Sequence, residues 1–364
     1  MPYPKFKANG QETFVCSDGT FIYLPDEISE YFTKEENKKL YKSLTRLEAG
    51  LYEFNTFDFD LEKAKEKCSR LERIKDQNLN LGSMEKNENI SDLQRFFLSF
   101  PVPELADDLF TVFEHGRIRF LLNMQYPGLI RHTLPVFQRK ALHMIQQKEN
   151  QNAVFLLYLK IALDVAIHTH IDLDKKTADF INQMEKQFKT AMFVDHTVET
   201  CAELVTAVFP YVVKFLNAHE QSSNLGKIYN PIRTPFGCRV RSDLFFMSHR
   251  NSEQLAAKLT AQLAKKGYKV YKSDIRRKLI ANKGMISHED IKSILLNSQK
   301  VKNTNMSTDD ISLDLSWLDL SLFLNSETPS PLISNDGNGS VFWYKEWDCN
   351  LNDYLSRHVR VLDK

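Results

Sequence analysis

The sequence predicts a mainly α fold: a multi-helix body with a degenerate zincin-like N-terminal part, a short N-terminal β-hairpin and a flexible C-terminal linker. Three observations carry that expectation. Capped runs with apolar residues at helical spacing recur between residues 34 and 300, the signature of amphipathic helices. One Asp-Gly turn, Asp18-Gly19, sits between short apolar runs near the start and marks a hairpin. From Asn303 to Ser340 the chain turns Ser-, Asp- and Asn-rich, the composition of a linker.

The 364 residues carry a net charge of +1, with 26% charged and 42% apolar residues, ordinary values for a soluble globular chain. Such a balance exerts no global pull toward nucleic acid or an anionic membrane. Cys16, Cys68, Cys201, Cys238 and Cys349 are odd in number and lack C-x-x-C spacing. They predict reduced thiols in a cytoplasmic protein, with no disulfide framework and no zinc ribbon. The N-terminus has no apolar h-region, so no signal peptide is expected. Ala153–Ile167 and Leu204–Leu216 are the most apolar stretches; both fall short of the ~20 residues a spanning helix needs and read as core helices, with no membrane partner.

In chain order, residues 13–25 form the expected hairpin, stopped by Pro25. Thr33-Lys-Glu-Glu36 is a capping-box pattern that starts a helix near Lys34. Residues 74–89 are polar and read as a loop or frayed helix. Ser91-x-x-Gln94 caps a short aromatic helix, broken by Phe100-Pro-Val-Pro103. Pro103 suits a first helical turn, and Tyr126-Pro-Gly128 ends the helix of about 103–125. Further helices are expected at roughly 134–149, 153–169, 174–192 and 195–219, the last kinked at Pro210. Lys227–Phe246 is irregular, its prolines too close for a helix. Helices return at about 251–266, closed by Gly267, and at 288–299 after Ser287. The expected divisions are 1–131, 132–300, a linker at 301–340 and an aromatic segment at 341–364.

The most informative stretch is Thr45–Phe59. A His-Glu-x-x-His helix holds zinc because positions i and i+4 share one face. Here those positions are Leu47 and Leu51, and Glu48 stands at the place of the general base. Leucine offers no lone pair, so the pair binds no metal. Leu44, Leu47, Leu51 and Phe54 fall on one helical stripe, and full burial of each leucine would contribute about 2 kcal/mol.

Other candidate chemistry is weaker. Glu48, Glu53 and Glu114 make a candidate carboxylate cluster, against a structural reading in which they bond to backbone or to arginines such as Arg46 and Arg117. Asp164 and His168 are spaced i, i+4, a two-ligand face if helical, whereas His168 and His170 diverge. Cys68 and Cys201 have no flanking histidine and read as inert thiols. No phosphate-cradling glycine loop occurs.

Lys265, Lys266, Lys269, Lys272, Arg276, Arg277, Lys278 and Lys283 form a basic stretch interleaved with Tyr268 and Tyr271. It suits a solvated helix face or a docking patch for an acidic partner, with nucleic acid as the lesser alternative. Trp317, Trp343 and Trp347 are further candidate docking residues. Asp309–Leu324 alternates acidic or Ser residues with large apolar ones. It is either a docking peptide for a partner or a segment folded back on this chain's own core.

Several segments, in order, resemble one family: Leu24-Pro25, Leu47–Phe59, Phe100–Ala106 with Asp108-Leu-Phe110, Glu114-His-Gly-Arg-Ile-Arg119, Tyr126–Leu129, and Tyr344–Asp348 through Arg360-Val361. The chain is similar to NorD-type nitric oxide reductase activation proteins, von Willebrand factor A proteins that partner MoxR-class AAA+ ATPases in maturing metalloenzymes. Members carry His-Glu-Ala-Gly-His-x-Glu-Phe-Gly-Thr-Phe where this chain has Leu47–Phe57. The resemblance implies Glu114 as the distant third ligand; without the histidines, Glu114 is expected to meet Arg117 or another cation. Asp314-Leu-Ser316 and Asp319-Leu-Ser321 imitate the start of the von Willebrand A metal motif but lack its final Ser. The chain ends where that domain would begin, so the domain is expected to be absent. The resemblance therefore implies a non-catalytic adaptor without cofactor, acting with a MoxR-like ATPase and a von Willebrand A protein in trans. The alternatives are a metal-dependent hydrolase with an atypical carboxylate site, a nucleic-acid-binding regulator using residues 265–283, and a gene remnant.

Overall fold

Helix boundaries follow local chemistry closely in the computed structural model, which describes residues 7–8, 11–12, 14–25, 27–68, 90–147, 152–219, 229–245, 250–282, 284–300, 318, 341–348 and 353–362. Strands β1 (Lys7–Ala8) and β2 (Gln11–Glu12) pair antiparallel, as do β3 (Cys16–Ser17) and β4 (Ile22–Tyr23). The second pair is the expected hairpin. Gly19 takes φ 91° at its turn, a conformation open to a residue without Cβ, and Asp18 Oδ1 accepts from the amides of Thr20 and Phe21 at 2.8 Å each.

Helix α1 (Lys34–Glu53) begins where Thr33 accepts the Glu36 amide at 3.3 Å. Its last turn leads through Asn55, at φ 58°, into a short 3-10 turn at Thr56–Asp58. α2 (Leu61–Lys67) is capped by Asp60. α3 (Asp92–Leu98) has the complete reciprocal box of Ser91 and Gln94, two orphan donors satisfied at once. α4 (Pro103–Gln125) opens on its proline and stops at Tyr126, as expected.

α5 (Pro127–Gln146) begins directly after Tyr126, some seven residues earlier than the sequence suggests. Pro127 supplies a first turn there, so one helix's stop signal is the next one's start. α6 (Ala153–Leu157) continues as a π turn over Tyr158–Ala162 and ends there. The expected helix to 169 is therefore cut short, and Asp164 sits at φ 54° beyond it. α7 (Lys175–Val194) and α8 (Val198–His219) complete the body, α8 remaining one helix through Pro210.

α4 is the axis. Fifteen of its 23 residues are buried, on every side, because α1, α5, α8 and the π turn all pack against it. Two glycines permit the closest approaches: a Cβ on Gly50 would lie 2.9 Å from Ile118 Cγ2, and one on Gly116 would lie 2.8 Å from Ile161 Cγ2 and 2.9 Å from Phe188 Cζ. One apolar core runs from Val15 to Phe245, and the division expected at 131/132 falls inside α5.

A second core belongs to a three-helix lobe, α9 (Arg250–Lys265), α10 (Lys272–Ala281) and α11 (His288–Lys300), joined by Leu318. Gly267 closes α9 at φ 83°. α10 was not expected; it lies within the basic stretch. Residues 330–364 form a separate compact unit, containing the antiparallel pair β5 (Val341–Asp348) and β6 (Asp353–Leu362). The aromatic segment is thus a hairpin. The expected loop at 74–89, the linker apart from Leu318, Trp317 and Cys349 lie outside the described residues.

α8 is 22 residues long and, contrary to the expectation for Leu204–Leu216, is long and apolar enough to cross a bilayer by length and composition. Its apolar face is core: Cys201, Val205, Val208 and Val212 have no exposed surface.

Candidate functional site

The zinc-site frame lies on α1 facing α4. Leu51 is 2% exposed and Leu47 is half-buried against the same core, so the leucine pair packs inward, Leu47 less fully than expected. Glu48 is as deeply buried as Leu51 at that turn, also 2% exposed. Burial pushes its carboxyl up to about 8, opposed only by the charge of Arg241. The charge that acts on it is that of Arg241, not of the Arg46 expected from the sequence. A carboxyl in that setting stays neutral at pH 7.

Glu114 has the opposite chemistry at the same depth. Because α4 is buried all round, each polar group on it needs a partner within the protein. Arg117, one turn on, donates from Nε to Glu114 Oε2 at 2.8 Å and pairs with Oε1 as well. Thr56 donates to Oε1. Burial alone would raise this carboxyl, but the Arg117 charge, these bonds and the Cys201 thiol hold it below the usual carboxylate range. Arg117 also donates to the carbonyls of Phe54 at 3.0 Å and His196 at 3.1 Å. The expected meeting of Glu114 with Arg117 is the geometry found.

The other polar groups of α4 follow the same rule. His115 is buried against the Tyr158 hydroxyl at 3.0 Å, and burial lowers its pKa to about 4. Asp108 accepts from the Tyr229 hydroxyl at 2.6 Å, the Ile232 amide at 2.8 Å and Arg239 at 2.6 Å. Asp107 accepts from Arg239 at 2.9 Å through one oxygen, while its other oxygen is buried without a partner. Burial raises Asp107 to about 6 against the pull of Arg239. It lines a cavity of about 370 Å³ with Glu104 and Asp243. Sequence reasoning missed this cluster. Its one local signal is the acidic pair Asp107-Asp108 inside an apolar helix; Arg239 lies 131 residues from Asp108.

The candidate carboxylates do not converge. Glu48 is buried within the influence of the Arg241 charge, Glu114 is held by Arg117, and Glu53 accepts from the Tyr126 hydroxyl at 3.0 Å at the surface. Asp164 pairs with Arg119 at 3.2 Å, and His168 sits in a separate 3-10 turn, so the helical two-ligand face does not form. Among the described residues no three His, Cys, Asp or Glu side chains are grouped to hold a metal ion. Cys16, Cys68, Cys201 and Cys238 are buried free thiols; burial raises Cys16, Cys201 and Cys238, leaving them weak nucleophiles.

In front of Arg117 opens a polar cleft of about 840 Å³, walled by Lys63, Lys67, His196, Glu199, Tyr271 and Arg277 among others. The body and the lobe both supply these groups. Asp60 joins them: its Oδ1 caps α2, and its Oδ2 accepts the Ser273 amide at 2.9 Å in the first turn of α10.

The basic stretch is largely committed to this joint. Arg276 is 2% exposed and donates to the Phe57 carbonyl at 3.0 Å and to Glu253 at 3.3 Å. Lys272 lies between Asp92 at 2.6 Å and Glu253 at 2.7 Å. Arg277 binds Asp58 at 2.7 Å, and Lys269 pairs with Glu66. The docking role expected of Arg276 is corrected by its burial. Lys265 and Lys266 are on the surface. Trp343 and Trp347 lie on β5, opposite Arg360 and Tyr354.

The chain matches no protein-family model, no curated protein and no solved structure.

Proposed function

We propose that the protein is a non-catalytic adaptor or scaffold, similar to the N-terminal region of NorD-type proteins, that assists a MoxR-like AAA+ ATPase together with a von Willebrand A protein in activating or remodelling a metalloenzyme complex. The observation that carries this reading is the buried Glu114–Arg117 pair. At the place of a third metal ligand, the carboxylate is neutralised by a guanidinium and a threonine, and Leu51 fills the core at the place of a histidine. Such an arrangement supplies shape and rigidity, with no open coordination position.

A protein partner is supported by apolar residues next to the polar cleft. Phe193 and Val194, 90% and 80% exposed, immediately precede the segment containing the cleft-lining His196. Met124 and Tyr126, 61% and 41% exposed, flank the cleft-lining Gln125. Exposed apolar side chains rimming polar ones are the composition of an interaction site. The reading places the protein in the cytoplasm, in keeping with its free thiols.

The test is reconstitution. The purified chain is mixed with a MoxR-class ATPase and a von Willebrand A protein from its own source, and complex size and ATP turnover are measured. A complex with altered turnover, weakened by Phe193→Asp, is the expected result. Failure to associate in any nucleotide state contradicts the proposal.

A further inference from the structure

Leu318 is the single described residue between 301 and 340, and it is buried, 2% exposed, in the core of the three-helix lobe. It shares that core with Leu259 and Leu263 of α9, Ile275 and Leu279 of α10, and Ile291 and Leu295 of α11. Its carbonyl oxygen accepts a hydrogen bond from Nε2 of His288, the first residue of α11, at 2.9 Å. A leucine seated between helices, with its backbone tied at the rim, has the form of an anchor residue in a groove.

The sequence around Leu318 fits that form. Residues 309–324 contain four aspartates, Asp309, Asp310, Asp314 and Asp319, and no Lys or Arg. The Asp-Leu-Ser unit occurs on both sides of Leu318, at 314–316 and 319–321. The lobe's surface is on balance of the opposite charge: Lys258, Lys265, Lys266, Lys269 and Lys292 are exposed, against the exposed Glu289. Apolar anchoring gives such a contact its affinity, and the charge difference favours this segment over basic or neutral ones.

We propose that the α9–α11 lobe is a receptor for a leucine-bearing acidic segment and that the chain's own Leu318 is its ligand, held in cis. Tethering sets a high effective concentration, so the covalently attached leucine outcompetes a free segment of the same kind. Replacing Leu318 vacates the groove and leaves the lobe able to take such a segment in trans. Lys265 and Lys266 then contribute to docking as part of the lobe's surface charge.

A fluorescein-labelled peptide of residues 309–324, titrated into the full-length protein, reads this directly by anisotropy. Leu318→Ala is expected to bind the peptide at least about tenfold more tightly than the wild-type chain. A peptide carrying Ala at the position of Leu318 should bind neither. Amide hydrogen exchange of α9–α11 in the Leu318→Ala protein supplies the second measurement, and protection close to wild type is expected. Equal binding to the two proteins overturns the proposal, as does no binding to the variant while its lobe remains protected. Loss of protection throughout α9–α11 also overturns it, because Leu318 would then be an integral core residue and not an exchangeable ligand.

Discussion

Arg117 reaches back one turn of α4 to hold Glu114, Nε to Oε2 at 2.8 Å, with the arginine side chain 2% exposed and the glutamate wholly buried. Each ion makes the other tolerable, since either one alone in the core would be a charge without solvent. Arg117→Leu is expected to destabilise the protein by about 3–5 kcal/mol. Glu114→Gln combined with Arg117→Met should lose less than Arg117→Leu alone, because no uncompensated charge remains. Urea unfolding of the variants checks both statements; a single variant as stable as wild type contradicts them.

Glu48 gives the fold a pH dependence of definite sign. Its carboxyl is raised from 4.5 to about 8 by burial, so between those values the folded state holds a proton that the unfolded state has released. Stability from this group therefore falls as pH rises from about 4.5 to about 8 and is level above that. Glu48→Gln removes the dependence and should be the more stable protein at pH 8.5, by on the order of a few kcal/mol. His115 acts in the opposite direction over pH 4 to 6.5, since burial holds it neutral in the fold. Subtracting the two proteins' stability–pH curves isolates Glu48; a difference that does not change with pH refutes the assignment.

Gly116 is required by packing. An added Cβ would meet Ile161 at 2.8 Å and Phe188 at 2.9 Å, whereas one on Gly128 would meet nothing within 4 Å. Gly116→Ala is expected to lose about 1–3 kcal/mol by overpacking, exceeding the gain of up to about 1 kcal/mol in helix propensity. Gly128→Ala should be neutral or slightly stabilising. Thermal unfolding of the two variants distinguishes them, and equal shifts would count against the close approach.

Helix bounds set by local chemistry were legible in the sequence. Pro103 and Tyr126 delimit α4, Ser91 and Gln94 box α3, and Asp18-Gly19 makes its hairpin. α10 was not legible, because its charges suggested a solvated face while Arg276 and Lys272 turn inward to Phe57, Asp92 and Glu253. Those partners lie up to 219 residues away in sequence, where no local pattern reaches. The early end of α6 is similarly tertiary: no Gly or Pro stands at Leu163, and a π turn packed on α4 replaces the expected helix. Of the candidate site, the loss of metal ligands was readable at Leu47 and Leu51. The deep burial of Glu48 was not, because the helical stripe placed the leucines there instead.

Lys272 clamps the lobe to the body between Asp92 and Glu253. Lys272→Met leaves two carboxylates facing each other and should cost about 1–3 kcal/mol. Faster amide exchange is expected at the start of α10. Being 15% exposed, the clamp should also resist screening by moderate salt better than a surface pair. Unchanged exchange in α10 would contradict its clamping role.

Metal content of the purified protein tests the central claim most directly. Wild-type chain, and a Leu47→His/Leu51→His variant, are exposed to zinc, dialysed and assayed by mass spectrometry. Substoichiometric zinc is predicted in both, because Glu114 is already bound by Arg117 and Thr56. One tightly held zinc per wild-type chain, lost on Glu114→Gln, would contradict the account.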